Sequence, residues 1–149
     1  MERLLIAAAI VVVVGVVALV ARTRRRPDAP TQRRYSVPEQ LDRADFPRPD
    51  AQWLVTVFSS ATCVACAGVI ERARVLETAE VAVCAIDFDE HRSLHEKYGI
   101  DAVPTLVVCD ADGVTQASFL GPVNATDMWA AVAEAREPGS SPEPGLGQR

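Results

Sequence analysis

Two cysteines separated by two residues, Cys63-Val64-Ala65-Cys66, are the part of this 149-residue chain best suited to chemistry. They stand where an apolar, β-branched run gives way to a helical pattern. A thiol at a helix N-terminus faces unpaired backbone N–H groups and the positive end of the helix dipole, and both favour thiolate. Two intervening residues bring the second sulfur within bonding range across the first turn. Cys63 is then the exposed nucleophile, and Cys66 the more buried thiol that resolves a mixed disulfide. Zinc sites use the same spacing, but at the strand-to-helix junction of a βαβ unit it reads as a redox pair. A second marker is Val103-Pro104-Thr105. Proline cannot donate to a ladder, so its place at a strand start suggests a cis bond, with the preceding backbone beside the cysteines.

Other reactive residue types read more plainly. Cys84 and Cys109 fall within apolar strand-like runs and are expected as packing residues. The intervals C-x2-C-x17-C-x24-C lack a second close pair, which argues against a four-cysteine zinc site. His91 and His95 share a helical spacing without a third ligand, so an exposed polar helix accounts for them. Asp87, Asp89 and Glu90 read as a solvated turn, and Trp129 as a core anchor.

The elements that must position the pair alternate between strand and helix. Trp53–Phe58 is near-continuously apolar, as a strand buried on both faces should be. A helix is predicted over 63–79, with Val64, Ala67, Ile70, Ala73 and Val75–Leu76 on or near one face. Strands follow at Val81–Ile86, Thr105–Cys109 and Val114–Leu120, with a short polar helix over 90–98 ending at Gly99. Asp110–Gly113 is the turn of a hairpin, and Asn124 or Thr126 caps a last helix. The first two strands need a crossover and are parallel; the last two are antiparallel.

Composition is segregated along the chain. Leu4–Ala21 holds no charged side chain, and 18 helical residues at ~1.5 Å each span about 27 Å, enough for a hydrocarbon core. A cleaved signal peptide would want a more basic start than Arg3 and no arginines just past the cut, so an uncleaved anchor is expected. Residues 22–34 carry six arginines against Asp28. Arg22–Arg26 place the following flank in the cytoplasm by the positive-inside rule, and residues 4–26 are expected to meet lipid. The chain then divides into a short N-terminus (1–3), an anchor (4–21), a basic then Pro-rich tether (22–52), a folded domain (53–137) and a disordered tail (138–149). Pro38–Arg43 is read as a short helical turn within the tether. The 115 residues after Arg34 carry 8 basic and 18 acidic side chains, a poor match for nucleic acid.

These residues together resemble the thioredoxin superfamily. The strand before Cys63 and Cys66, Ile86-Asp87, Tyr98-Gly99-Ile100, Val103-Pro104-Thr105-Leu106, the Asp112-Gly113 turn and Gly121 match in order and spacing over about 53–137. The resemblance implies an α/β fold, a three-layer α/β/α sandwich with a mixed central sheet, here preceded by one N-terminal transmembrane helix. It implies Cys63 as attacking thiol, Cys66 as resolving thiol and Pro104 as a cis-proline that helps bind substrate, with Val103 and Thr62 beside it. No cofactor is implied beyond the redox-active disulfide, and the expected partners are protein or small-molecule disulfides and thiols. Departures from the family pattern are Thr62 for Trp, Val64-Ala65 for Gly-Pro, Glu71 for a proline, Val57 for a buried Asp, and Val83 for its Lys partner. The protein is therefore read as a membrane-anchored thiol–disulfide oxidoreductase, reductase in direction, with the soluble domain cytoplasmic. The missing acid motivates an alternative, a non-catalytic thioredoxin-like binding or scaffold module at the membrane.

Overall fold

A computed structural model describes residues 36–140. The expected anchor, the arginine stripe with its orientation, and most of the tail lie outside the described residues. Among the described residues no helix is long and apolar enough to cross a membrane.

Four strands form one mixed sheet in the order β2-β1-β3-β4: β1 (Trp53–Ser59), β2 (Val81–Asp87), β3 (Thr105–Cys109) and β4 (Thr115–Leu120). β1 runs parallel to β2, with Trp53 opposite Val81 and Ser59 opposite Asp87. It runs antiparallel to β3, with Phe58 opposite Thr105, and β3 pairs antiparallel with β4. Parallel neighbours need a crossover, and α1 (Val64–Arg74) supplies it. The short α2 (Arg92–Lys97) follows β2, and α3 (Ala125–Arg136) closes the domain, its N-terminus capped by Asn124 through a 2.8 Å bond from the Asp127 amide.

All seven residues of β1 are buried, as its continuous apolar run predicts. Odd-numbered β1 residues Trp53, Val55 and Val57 meet Val69 and Ala73 of α1 and Met128, Ala131 and Val132 of α3. Even-numbered Leu54 and Phe58 meet a second apolar cluster on the other face. Helix α1 is phased by Cys66, Val69 and Ala73, so Val64 and Val75, expected on its buried face, stand in solvent. It also stops at Arg74, five residues short of the expected end, because Thr78 turns the chain into β2 by accepting bonds from the Glu80 and Val81 amides. Trp129, expected as a core anchor, is 43% exposed while its neighbour Met128 takes the core position. His95 is the converse case: expected on an exposed polar face, it is 2% exposed. Its ring packs edge-on against Phe58 and Phe88, and Nε2 donates to the Ile86 carbonyl at 3.0 Å.

The largest departure concerns the tether. Residues 37–51 belong to the folded unit, since Val37, Leu41, Phe46 and Ala51 are buried in the second cluster. The expected turn at Pro38–Arg43 is instead a 3-10 turn at Arg43–Asp45, capped by Asp42. Leu41 donates its N–H to the Gly113 carbonyl at 2.8 Å, and Thr115 donates to Glu39 at 2.9 Å. At Gly113 (φ +79°) a Cβ would lie 1.8 Å from the Leu41 oxygen, so only glycine fits this crossing. Asp45 fastens the strap further: it accepts from Lys97 Nζ at 2.6 Å and from the Tyr98 hydroxyl, and these bonds, Lys97 first, hold its carboxyl below the usual range.

Two outcomes test the strap. Leu41→Ala, at a side chain 1% exposed, should cost about 2–5 kcal/mol in urea unfolding; a free tether would show no loss. Asp45 has a lowered folded-state pKa, so its contribution is complete above the unfolded value of ~3.9 and fades as pH falls through the folded value. The stability gap between the unaltered chain and Asp45→Asn should therefore be full at neutral pH and close under acid.

Candidate active site

The site lies where three segments reach one end of the sheet. β1 ends at Ser59, β3 begins at Thr105 opposite Phe58, and Leu120 at the end of β4 pairs with Thr105. After Ser59 the chain turns tightly, Cys63 N–H donating to the Ser60 carbonyl at 2.9 Å, and delivers Cys63 as the N-cap of α1. Cys63 Sγ accepts from the Cys66 amide at 3.2 Å, the role a capping oxygen usually plays. The Cys63 and Cys66 sulfurs are bonded at 2.10 Å, with Cα atoms 5.4 Å apart. Cys63 is half-buried and Cys66 only 2% exposed, so the first cysteine is the more accessible of the two.

The local electrostatics favour a thiolate at Cys63. The helix places no acidic residue in its first turn, and its free amides and dipole point at this sulfur. The segments that carry and adjoin the pair, residues 59–70, 102–109 and 117–126, contain no Asp, Glu, Lys or Arg.

The other expected site residues fall around this pair. The Val103–Pro104 peptide is cis, Pro104 is buried, and its carbonyl accepts from Gly121 N at 2.8 Å. Thr105 Oγ1 donates back to the Ala102 carbonyl at 2.7 Å and fixes the loop before the proline. Val103 is half-buried and lines a groove of about 220 Å³ with Ser60, Phe88, His95, Ile100, Asp101 and Ala102. Thr62 is exposed, with its hydroxyl 3.1 Å from that of Ser60. Ser60, His95 and Asp101 were not legible as site residues, since only the folded β2–α2 connection brings Phe88 and His95 beside the Cys63 loop.

Beneath the pair the interior is apolar. Val57 is buried opposite Ala85, and with Ile70, Ala73 and Val83 it lines a cavity of about 200 Å³ whose charged liners are Arg74 and Glu77. The remaining cysteines are poor nucleophiles. Burial pushes the Cys109 thiol up to about 12 and raises that of Cys84, which donates to Thr56 Oγ1 at 3.4 Å. Among the described residues no group of three or more His, Cys, Asp or Glu side chains is placed to hold a metal ion.

The family model described as Thioredoxin matches residues 44–134, more than half of the chain. Among solved structures, a mutant thioredoxin from Halobacterium salinarum is similar at 26% identity and TM-score 0.53, over 60% of this chain and 79% of that one. Thioredoxin from Fasciola hepatica is similar at 25% identity and TM-score 0.50, over 57% of this chain and 82% of that one. No curated protein sequence matches significantly. Family, fold and a cysteine pair at bonding distance agree on a thiol–disulfide redox role.

Accessibility and thiol acidity should separate the cysteines. After mild reduction, iodoacetamide at neutral pH should modify Cys63 first, with Cys109 untouched until the protein is unfolded. Peptide mapping by mass spectrometry reads the order, and early modification of Cys109 would contradict its burial and its thiol pKa of about 12.

Proposed function

The chain belongs to the thioredoxin family, and we propose that it is a membrane-anchored thiol–disulfide oxidoreductase working in the reductase direction. One observation carries this reading: an accessible sulfur at a helix N-cap is bonded to a buried sulfur one turn on. In the reduced state the Cys63 thiolate attacks one sulfur of a substrate disulfide, and the other sulfur departs as thiolate and takes up a proton. Cys66 then loses its proton and attacks the Cys63 sulfur. The second substrate thiol is released, and Cys63–Cys66 is again a disulfide. Two electrons have passed to the substrate, and a dithiol donor must return them.

Val57 and Val83 leave no buried carboxylate to receive the Cys66 proton, so the proton goes to water or to the departing thiolate. Resolution is then slower than it would be with a buried acid beside Cys66. The reductase direction is supported by the arginines at 22–26, which favour a cytoplasmic domain, where a glutathione poise of ~−220 to −320 mV keeps such a pair reduced. The free thiols of Cys84 and Cys109 suit the same compartment.

Cys66→Ala tests the mechanism. Cys63 should hold substrates as mixed disulfides that a reductant releases, seen on non-reducing gels. Absence of adducts while Cys63 remains alkylatable would favour the scaffold reading that Val57 motivates. That reading also expects a Cys63 pKa near the unperturbed ~8.5, where the N-cap position argues for a lower one. Orientation is read by a membrane-impermeant maleimide: in intact cells Cys63 should stay unlabelled until lysis.

A further inference from the structure

The groove beside Cys63 has a mixed character that a purely apolar substrate would not use. Its lining is Phe88, Ile100, Val103 and the edge of His95, with one charged liner, Asp101. Asp101 is exposed, and no ion pair or hydrogen bond reaches its carboxylate among the described residues. Two of its liners adjoin the reactive centre: the Ser60 carbonyl accepts the Cys63 amide bond, and Val103 precedes Pro104. The segments around the disulfide at 59–70, 102–109 and 117–126 are free of charge, so the bordering field comes from the β2–α2 side. Asp87, Asp89 and Glu90 of the β2–α2 connection and Asp101 of the loop after α2 outnumber Arg92, whose guanidinium lies 4.6 Å over the Phe88 ring, and His91 is exposed.

We infer that this groove takes a lysine or arginine side chain from an extended peptide, and that the protein favours disulfides with a basic residue alongside. A long cationic side chain has an apolar stem for Phe88 and Ile100 and a charged head for Asp101. The acidic flank also draws cationic segments toward Cys63 before contact. The inference rests on the oxidoreductase reading and adds its substrate class.

The test is single-turnover exchange from the reduced full-length chain. Two cyclic peptide disulfides are used, identical but for Lys or Glu beside one cysteine. Each turnover oxidises Cys63 and Cys66 to the disulfide and reduces the peptide to its dithiol, so no further reductant is needed. At low salt the Lys peptide should react about three- to five-fold faster, the effect of one exposed ion pair. At about 1 M salt, where the screening length is ~3 Å, the two rates should converge. Asp101→Asn should equalise the peptides and Asp101→Lys should reverse their order. Asp112→Asn makes the same change in net charge at the opposite end of the sheet and should leave the ratio alone. Neutral bis(2-hydroxyethyl) disulfide separates the two levels of failure. If the chain does not reduce it, the oxidoreductase reading falls. If it does, yet the peptides react alike, or Asp112→Asn shifts the ratio as much as Asp101→Asn, the groove assignment alone is overturned.

Discussion

Burial of β1 on both faces is the constraint on which the rest of the structure depends. A fully buried strand needs apolar layers above and below and hydrogen-bonded neighbours along both edges. β2 satisfies one edge in parallel, which obliges the chain to cross the sheet after Ser59, and α1 is that crossing. Its N-terminus must therefore sit at the C-terminal end of β1. β3 satisfies the other edge antiparallel, so β3 begins where β1 ends, and Pro104 arrives beside the cysteines. The meeting of Cys63 with the Val103–Pro104 loop follows from strand polarity, although 40 residues separate Cys63 from Val103.

The two faces of the sheet are covered by unlike means. One has α1 and α3; the other has only the six-residue α2, too short to shield Leu54, Phe58 and Val107. Residues 37–51 complete that cover, and Phe46 lies against both Phe58 and Tyr98. His95 joins this packing to the site. Its ring meets Phe58 in the core and Phe88 at the groove, while Nε2 holds the carbonyl of Ile86. The groove is thus shaped by the second apolar cluster, and loosening the strap would reach it through Phe46 and Phe58.

Central strands were the most legible features because their apolar runs are short, continuous and bounded by turn residues; Thr105–Cys109 is found at the expected limits. The cysteine pair and Pro104 were legible because their chemistry marks them without reference to distant residues. Val37, Leu41, Phe46 and Ala51 were not, since they follow neither a period of 2 nor 3.6 and stand among prolines. The phase of α1 is hidden in the sequence for a related reason. Val64 and Val75 are as apolar as Val69, and only Cys66 and Ala73, small residues facing the sheet, reveal the true inner face. His95 looks polar in one dimension and is made interior by two aromatic neighbours, Phe58 and Phe88. Asp101 acquires meaning only through the groove it lines.

The apolar pair Val57 and Val83 links stability to mechanism. A carboxylate and an ammonium in those positions would each lose several kcal/mol of hydration, recovered only with good mutual geometry. Two valines avoid that cost and pack against Ile70 and Ala73. The consequence is an asymmetry between the sulfurs. Cys63 receives the Cys66 amide bond and the N-terminal field of α1, so its thiolate is assisted. Cys66 lies deeper, and the one carboxylate lining the cavity at Val57 is the exposed Glu77. In the proposed cycle attack and resolution draw on different physics. The first is promoted by the helix terminus, and the second must wait for a proton to leave an apolar interior.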